Sequence, residues 1–248
     1  MKCKLYHLHP EKRAFADDLF HQYQTDAQVS ELFVRCRLQS SPHGHAQVNR
    51  HFAFNVGETY NYSSIPTTVP LEDSPPCVSV AKNEISNVVL RTLRCSVEFN
   101  QVLSVAYMEG MGMKFHSDGE VGLGDVVASL SLGSPARMSF RLRNKPGKGT
   151  FDHSAVTREE YEHWFDHACR LCRKSKPRVD EESSTPLQTE LVCPTLFTVD
   201  IQHGDVFIMI GNTQRFYEHE IERVPGFRIA ATCRRIEDVH AHANRTQS

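Results

Sequence analysis

Residues 115–134 read FHSDGEVGLGDVVASLSLGS and open on His116-Ser117-Asp118, an imidazole and a carboxylate one residue apart. Two His and one carboxylate on one face of a metal leave the opposite positions open for reactants, which is the ligand set of non-haem iron oxygenases. The chain carries 14 His, and about one His-x-Asp triplet is expected by chance at such a composition, so the triplet alone decides nothing. Such a site needs a second His from a distant strand. GDVFIMIGNTQRFYEHEIERVPGFRIAATCRR, residues 204–235, meets that need: His219 follows an apolar strand and a polar turn, and Arg228 opens the next strand. An Arg placed there can grip a dicarboxylate with two parallel hydrogen bonds, which the point charge of a Lys does less well.

A second group of donors lies at His163-x3-His167 followed by Cys169-x2-Cys172, four ligands of zinc type. On one continuous helix the two His share a face while the two Cys project away from it, so four-coordinate closure needs a broken helix or a further ligand such as Cys193. An amphipathic helix with semi-buried Cys is the simpler reading.

These residues need a scaffold, and the composition bounds it. At 248 residues, 40% hydrophobic and 23% charged, with no apolar run near the length of a membrane span, the chain is expected to form one globular domain without a membrane segment. MKCKLYHLHPEKRAF shows no apolar core of a secretory signal, so the chain is expected inside the cell, in nucleus or cytoplasm. The eight Cys are then expected as free thiols. A formal net charge of −2 argues against a protein that coats nucleic acid indiscriminately. Two basic stretches remain. Arg137, Arg141, Arg143, Lys145 and Lys148 form one, and Arg170, Arg173, Lys174, Lys176 and Arg178 the other. Each reads either as a phosphate-following patch or as a solvated face.

Phe15, Leu19 and Phe20 within residues 10–23, behind Pro10, predict an amphipathic helix, and Ile85, Val88, Val89 and Leu93 predict another over 80–94. Between them RHFAFNVGETYNYSS reads as a strand or hairpin that leads into an irregular loop. From residue 98 onward short strands dominate: EFNQVLSVAYM, DVVASLSLG, RMSFRLR, TLFTVDI, GDVFIMIG and FRIAATCRRI. That spacing fits an antiparallel sandwich, barrel or jelly roll with the two helices packed outside. The division expected is 1–97 for N-terminal helices and a lid-like region, and 98–236 for the β-fold, interrupted at 144–194 by a helix and a polar loop expected to be mobile.

HSDGE, the following VASLSLGSPARMSFR, the GDVFIMIG strand, His219 and RIAATCR together resemble the AlkB-like branch of Fe(II)/2-oxoglutarate dioxygenases over about residues 48–143 and 195–236. The resemblance implies a mainly β fold with flanking helices, a double-stranded β-helix or jelly roll. It implies Fe(II), 2-oxoglutarate and O2 as cofactor and co-substrates, with His116, Asp118 and His219 as iron ligands. It gives Arg228 the distal carboxylate of 2-oxoglutarate, Tyr107 a hydrogen bond to it, and Arg234 a place between co-substrate and substrate. RHFAFNVGETYNYS resembles a nucleotide-recognition lid in which Tyr60, Tyr62 and Arg50 approach a base; alternating Tyr on a strand also serve as ordinary packing pairs. Two positions depart from the family pattern. Val105 stands for the Asn of Asn-x-Tyr, and Ala230 for the Asn of the closing Arg-x-Asn-x-Thr-x-Arg.

The activity implied is oxidation of an N-alkyl group on a nucleobase, with formaldehyde lost from an N-methyl substrate, and methylated single-stranded nucleic acid as the partner. Two other readings stand beside it: the same chemistry on a small metabolite or protein side chain, and a nucleic-acid-binding module without catalysis.

Overall fold

Residues 126–133 alternate strictly, with Val126, Ala128, Leu130 and Leu132 on one face and Val127, Ser129 and Ser131 on the other. Such alternation sets one face against an apolar layer and leaves the small side chains of the other room for a second layer to approach. In a computed structural model of the chain, which describes residues 2–30, 32–35, 51–58, 69–118, 122–143 and 194–237, this segment is an inner strand of the larger of two antiparallel sheets.

The strands are β1 (Lys2–Tyr6), β2 (Phe52–Gly57), β3 (Gln101–Tyr107), β4 (Met113–His116), β5 (Val126–Gly133), β6 (Ala136–Leu142), β7 (Phe197–Ile201), β8 (Val206–Ile210), β9 (Tyr217–Ile221) and β10 (Arg228–Arg234). One sheet runs β1-β8-β5-β10-β3-β2 and the other β4-β9-β6-β7. Mainly antiparallel strands in two sheets, with helices outside, form the jelly roll that the sequence led one to expect.

The helices are α1 (Arg13–Ser30), α2 (Pro76–Leu93) and a short α3 (Asn212–Phe216). Pro10 opens a 3-10 turn that leads into α1, and Pro76 sits in the first turn of α2, where its missing N–H leaves no bond unmade. α2 begins four residues before the expected start, and ends where Arg94, in the left-handed conformation, donates its N–H to the Leu90 carbonyl at 3.0 Å. Ala16, Leu19 and Tyr23 of α1 and Cys77, Val78, Ala81, Ile85, Val88 and Val89 of α2 join the outward face of the larger sheet in one apolar core. Each fully buried Val, Ile or Leu there stabilises the fold by roughly 1.5–3 kcal/mol. The Tyr23 hydroxyl pairs with Ser104 Oγ at 3.1 Å, so helix docking includes a polar tie that fixes the position of α1 on β3.

A second core lies between the sheets, where Val105, Val127, Met138, Phe140, Phe207, Met209 and Ala230 meet. Gly133 turns β5 toward β6 at φ +84°, and a Cβ there would lie 2.6 Å from Phe20 Cζ and from the Phe227 carbonyl oxygen. Only glycine lets α1 and the start of β10 close on this turn. Cys3, Cys77, Cys95 and Cys233 are free thiols, as expected of the described cysteines. Among the described residues no helix is long and apolar enough to cross a membrane.

Candidate metal and co-substrate site

β4 ends at His116, opposite His219 of β9, with a register irregularity between Met113 and His116. Gly112 makes that pairing possible, since a Cβ on it would lie 2.6 Å from the Ile221 carbonyl oxygen. Asp118 follows in the loop, which Ser117 ties to α3 by donating to the Gln214 carbonyl at 2.8 Å. The three side chains converge. One ligand atom from each of His116, Asp118 and His219 lies within 4.8 Å of the other two.

The local chemistry suits a cation at that point. His116 Nδ1 lies 2.8 Å from the Lys114 carbonyl, to which it donates, leaving the Nε2 lone pair free toward Asp118 Oδ1 at 3.9 Å. His219 Nε2 lies 3.7 Å from Asp118 Oδ2, and the two imidazole centroids are 4.3 Å apart. Burial, helped by His116 and Arg234 and opposed by Asp118, pushes the His219 pKa down to about 4. His219 is therefore neutral near pH 7, the form that binds a metal. Burial works against the Asp118 carboxylate, but Arg234 and then the two imidazoles outweigh it and hold its pKa below the ordinary value. Two imidazoles and one carboxylate meet the requirement of a 2-His-1-carboxylate centre.

The inner face of the six-stranded sheet is laid out in rows by the strand register. At one end Arg228 of β10 lies opposite Tyr107 of β3 and Gly133 of β5. The next row is Ala53, Val105, Ala230 and Ser131, and the next Asn55, Leu103, Thr232 and Ser129. The last is Gly57, Gln101 and Arg234, with Arg234 close enough to Asp118 to shift its pKa. Arg228 is 2% exposed; its Nε donates to Ser131 Oγ at 3.2 Å, its guanidinium lies 5.2 Å from the Tyr107 ring centroid, and its Nη1 has no partner. Burial lowers its pKa, against the pull of the Tyr107 oxygen. A buried guanidinium with a donor unused is poised for an anion.

The structure thus gathers His116 and His219 on the smaller sheet with Asp118 in the loop after β4, and Tyr107, Arg228 and Arg234 on the inner face of the larger sheet, with Asp118 close enough to act electrostatically on Tyr107 and Arg234 on Asp118. Arg50, Tyr60 and Tyr62 lie outside the described residues, as do His163, His167, Cys169, Cys172 and Cys193 and nearly all of the insert at 144–194. Of the first basic stretch, Arg137 pairs with Asp200 at 3.1 Å, and Arg141 pairs with Glu218 at 2.9 Å while lying 4.1 Å from the Phe115 centroid. These two side chains are engaged on the outer face of the smaller sheet rather than offered to a phosphate. A cavity of about 450 Å³ opens beside β4 and β9, lined by Arg35, Met111, Lys114 and Glu222 among others, and none of the three clustered ligands lines it.

Ser131 and His51 are parts of the site that the sequence reading passed over. Ser131 holds Arg228, and the alternation of SLSLG was its visible trace. His51 bonds the Gly112 carbonyl at 2.9 Å and meets the Tyr107 ring edge-on at 5.4 Å, so it braces Tyr107 against the loop before β4.

Comparison with known proteins places this geometry. The sequence family described as the 2OG-Fe(II) oxygenase superfamily matches residues 12–236. A solved structure described as "The structure of OsALKBH1" is similar at 15% identity and a TM-score of 0.46, over 94% of this chain and 97% of that one. No curated protein matches the chain.

Proposed function

The chain belongs to the 2OG-Fe(II) oxygenase superfamily, and on that premise we propose that it is an AlkB-like dioxygenase that removes an N-alkyl group from a nucleobase. The observation that supports the chemistry most directly is the convergence of His116, Asp118 and His219 on one point. These three would hold Fe(II). Fe(II) held there with 2-oxoglutarate and O2 would supply oxidation of a C–H bond, one oxygen atom going to the substrate and the other to the succinate formed with CO2.

The chain's own residues bind, orient and exclude. Arg228, fixed by Ser131 and flanked by Tyr107, would hold the distal carboxylate of 2-oxoglutarate through its unused Nη1. Val105 and Ala230, in the next row, line the co-substrate's path with alkyl groups and keep water from its chain. Arg234 beside Asp118 stabilises the ionised carboxylate and stands on the side where a substrate would approach. On an N-methyl substrate, hydroxylation gives an N-hydroxymethyl group that releases formaldehyde, which returns the base with its N–H restored.

The nucleic-acid substrate rests on the order of the motifs shared with AlkB-like proteins. Single strands are favoured because no unpairing energy is needed. A second reading, the same oxidation of a small metabolite or a protein side chain, draws support from Arg137 and Arg141, whose pairing with carboxylates takes them away from a phosphate backbone. Mass spectrometry of single-stranded DNA and RNA oligonucleotides bearing methylated bases, after incubation with Fe(II), 2-oxoglutarate and O2, decides between them. Loss of a methyl mass with matching succinate supports the proposal. Succinate stimulated only by a metabolite or a peptide overturns it.

A further inference from the structure

In the row of Asn55, Leu103, Thr232 and Ser129, Thr232 donates to Ser129 Oγ at 3.1 Å, so the two hydroxyls satisfy each other. Asn55 has no such arrangement. It is 4% exposed, and neither its Nδ2 nor its Oδ1 has a hydrogen-bond partner. Gln101, one row on and diagonal to Asn55, is 1% exposed; its Nε2 donates to the Glu58 carbonyl at 3.0 Å, while its Oε1 has no partner. Both residues face inward with Leu103 and Val105, because Val56, Phe52 and Phe54 take the opposite, helix-covered face of the sheet. Two neighbouring buried carboxamides thus leave one donor group and two acceptors unused on the face that carries Arg228 and Arg234. Buried polar groups are seldom left so, and a binding site is one of the few reasons for it.

The identity of the missing partner follows from the count. Ionised 2-oxoglutarate has acceptors only, so it could engage Asn55 Nδ2 but would leave Asn55 Oδ1 and Gln101 Oε1 facing further lone pairs. The co-substrate is also accommodated at the other end of the face, by Arg228. What fits is a planar group with an N–H donor beside an acceptor, the pattern to which an Asn carboxamide pairs bidentately on the N6–H/N7 edge of adenine. We propose that Asn55, with Gln101 Oε1 beside it, is the edge that reads the substrate by this donor–acceptor pattern. The proposal deepens the nucleobase reading and rests on it for the choice of a base, adenine being the one whose edge pairs bidentately with an Asn.

The test compares the wild type with Asn55→Leu and Asn55→Val. Melting temperatures are measured without substrate. The 2-oxoglutarate dissociation constant is measured in the presence of Mn(II). kcat/KM is measured on single-stranded oligonucleotides carrying either N6-methyladenine, which keeps an N–H, or N6,N6-dimethyladenine, which has none. The wild type should favour the monomethyl base by about tenfold or more, the scale of one bidentate contact, and both variants should lose the preference. Their melting temperatures should rise, because an unsatisfied amide is replaced by alkyl groups, and 2-oxoglutarate affinity should stay within about twofold. An undiminished preference in the variants overturns the proposal. So does a fall in melting temperature for both, which would mark the amide as bonded within the fold. If the wild type acts on neither oligonucleotide, the nucleobase reading fails by itself and the melting temperatures alone judge Asn55: a rise retains it as a ligand-seeking group, a fall removes it.

Discussion

Val105 and Ala230 stand directly opposite each other across β3 and β10, 7% and 6% exposed, in the row beside Arg228 and Tyr107. The AlkB-like pattern has Asn at both places, so the two departures fall on one cross-strand pair. A single Val105→Asn or Ala230→Asn should bury a carboxamide against an alkyl partner and destabilise by about 1–3 kcal/mol. The double variant should recover part of that loss, since each amide then meets the other. Urea unfolding of all four proteins measures the coupling; strict additivity would mean that the two positions are independent.

Asp118→Ala should abolish tight Fe(II) binding and 2-oxoglutarate turnover while the β-fold persists. His116 and His219 alone leave two imidazoles and no carboxylate to offset the cation's charge. Anaerobic titration with Fe(II) and circular dichroism check both halves. Retained iron affinity would move the metal elsewhere.

Arg228→Lys should weaken 2-oxoglutarate roughly tenfold or more and leave iron affinity unchanged, since a planar guanidinium aimed by its bond to Ser131 becomes a flexible ammonium without that bond. Isothermal titration in the presence of Mn(II) reads the two affinities separately. An unchanged 2-oxoglutarate affinity would shift the carboxylate site, with Arg234 the next residue to test.

His203 should give the fold an acid-side sensitivity. Its Nδ1 accepts the Gly133 N–H at 2.7 Å, so its proton sits on Nε2, 3.3 Å from Asp17 Oδ1. Burial, opposed by Asp17 and seconded by Arg13, lowers its pKa below the ordinary value. The unfolded chain therefore takes up this proton first as pH falls, and the stability that His203 contributes is complete above about pH 6.5 and lost below it as pH passes the folded value. His203→Asn keeps an acceptor for Gly133 but does not titrate. The difference in melting temperature between wild type and variant should shift against the wild type from pH 7 to 5.5; a constant difference would show that His203 does not titrate in this window.

Long amphipathic and alternating segments were legible in the sequence, because their periods are properties of single elements. Both main helices and seven of the strands belong to that class, though α1 runs on to Ser30 and α2 starts at Pro76. β1, β4 and β9 were not. KCKLY and MKFH are short and carry Lys, and YEHEI holds two Glu on its outer face, so their strand character comes from pairing with β8, with each other and with β6. The clustered ligands were legible through motif order. Asn55 was not, because its isolation depends on which residues β3 and β10 bring beside it, and no spacing along the chain encodes that.

The rows on the inner face of the larger sheet lie two residues apart, about 6.6 Å at the rise of a strand. Each row carries a different chemistry: the buried guanidinium of Arg228, the alkyl groups of Val105 and Ala230, the carboxamide of Asn55, the charge of Arg234. Point changes therefore act at one depth at a time, and a substitution in the Asn55 row leaves the guanidinium of Arg228 where it is. A one-residue insertion in β10 is the opposite kind of event. Placed between Arg228 and Arg234, it would leave them an odd number of residues apart, so that one of the two turns toward the helices while the other stays inside.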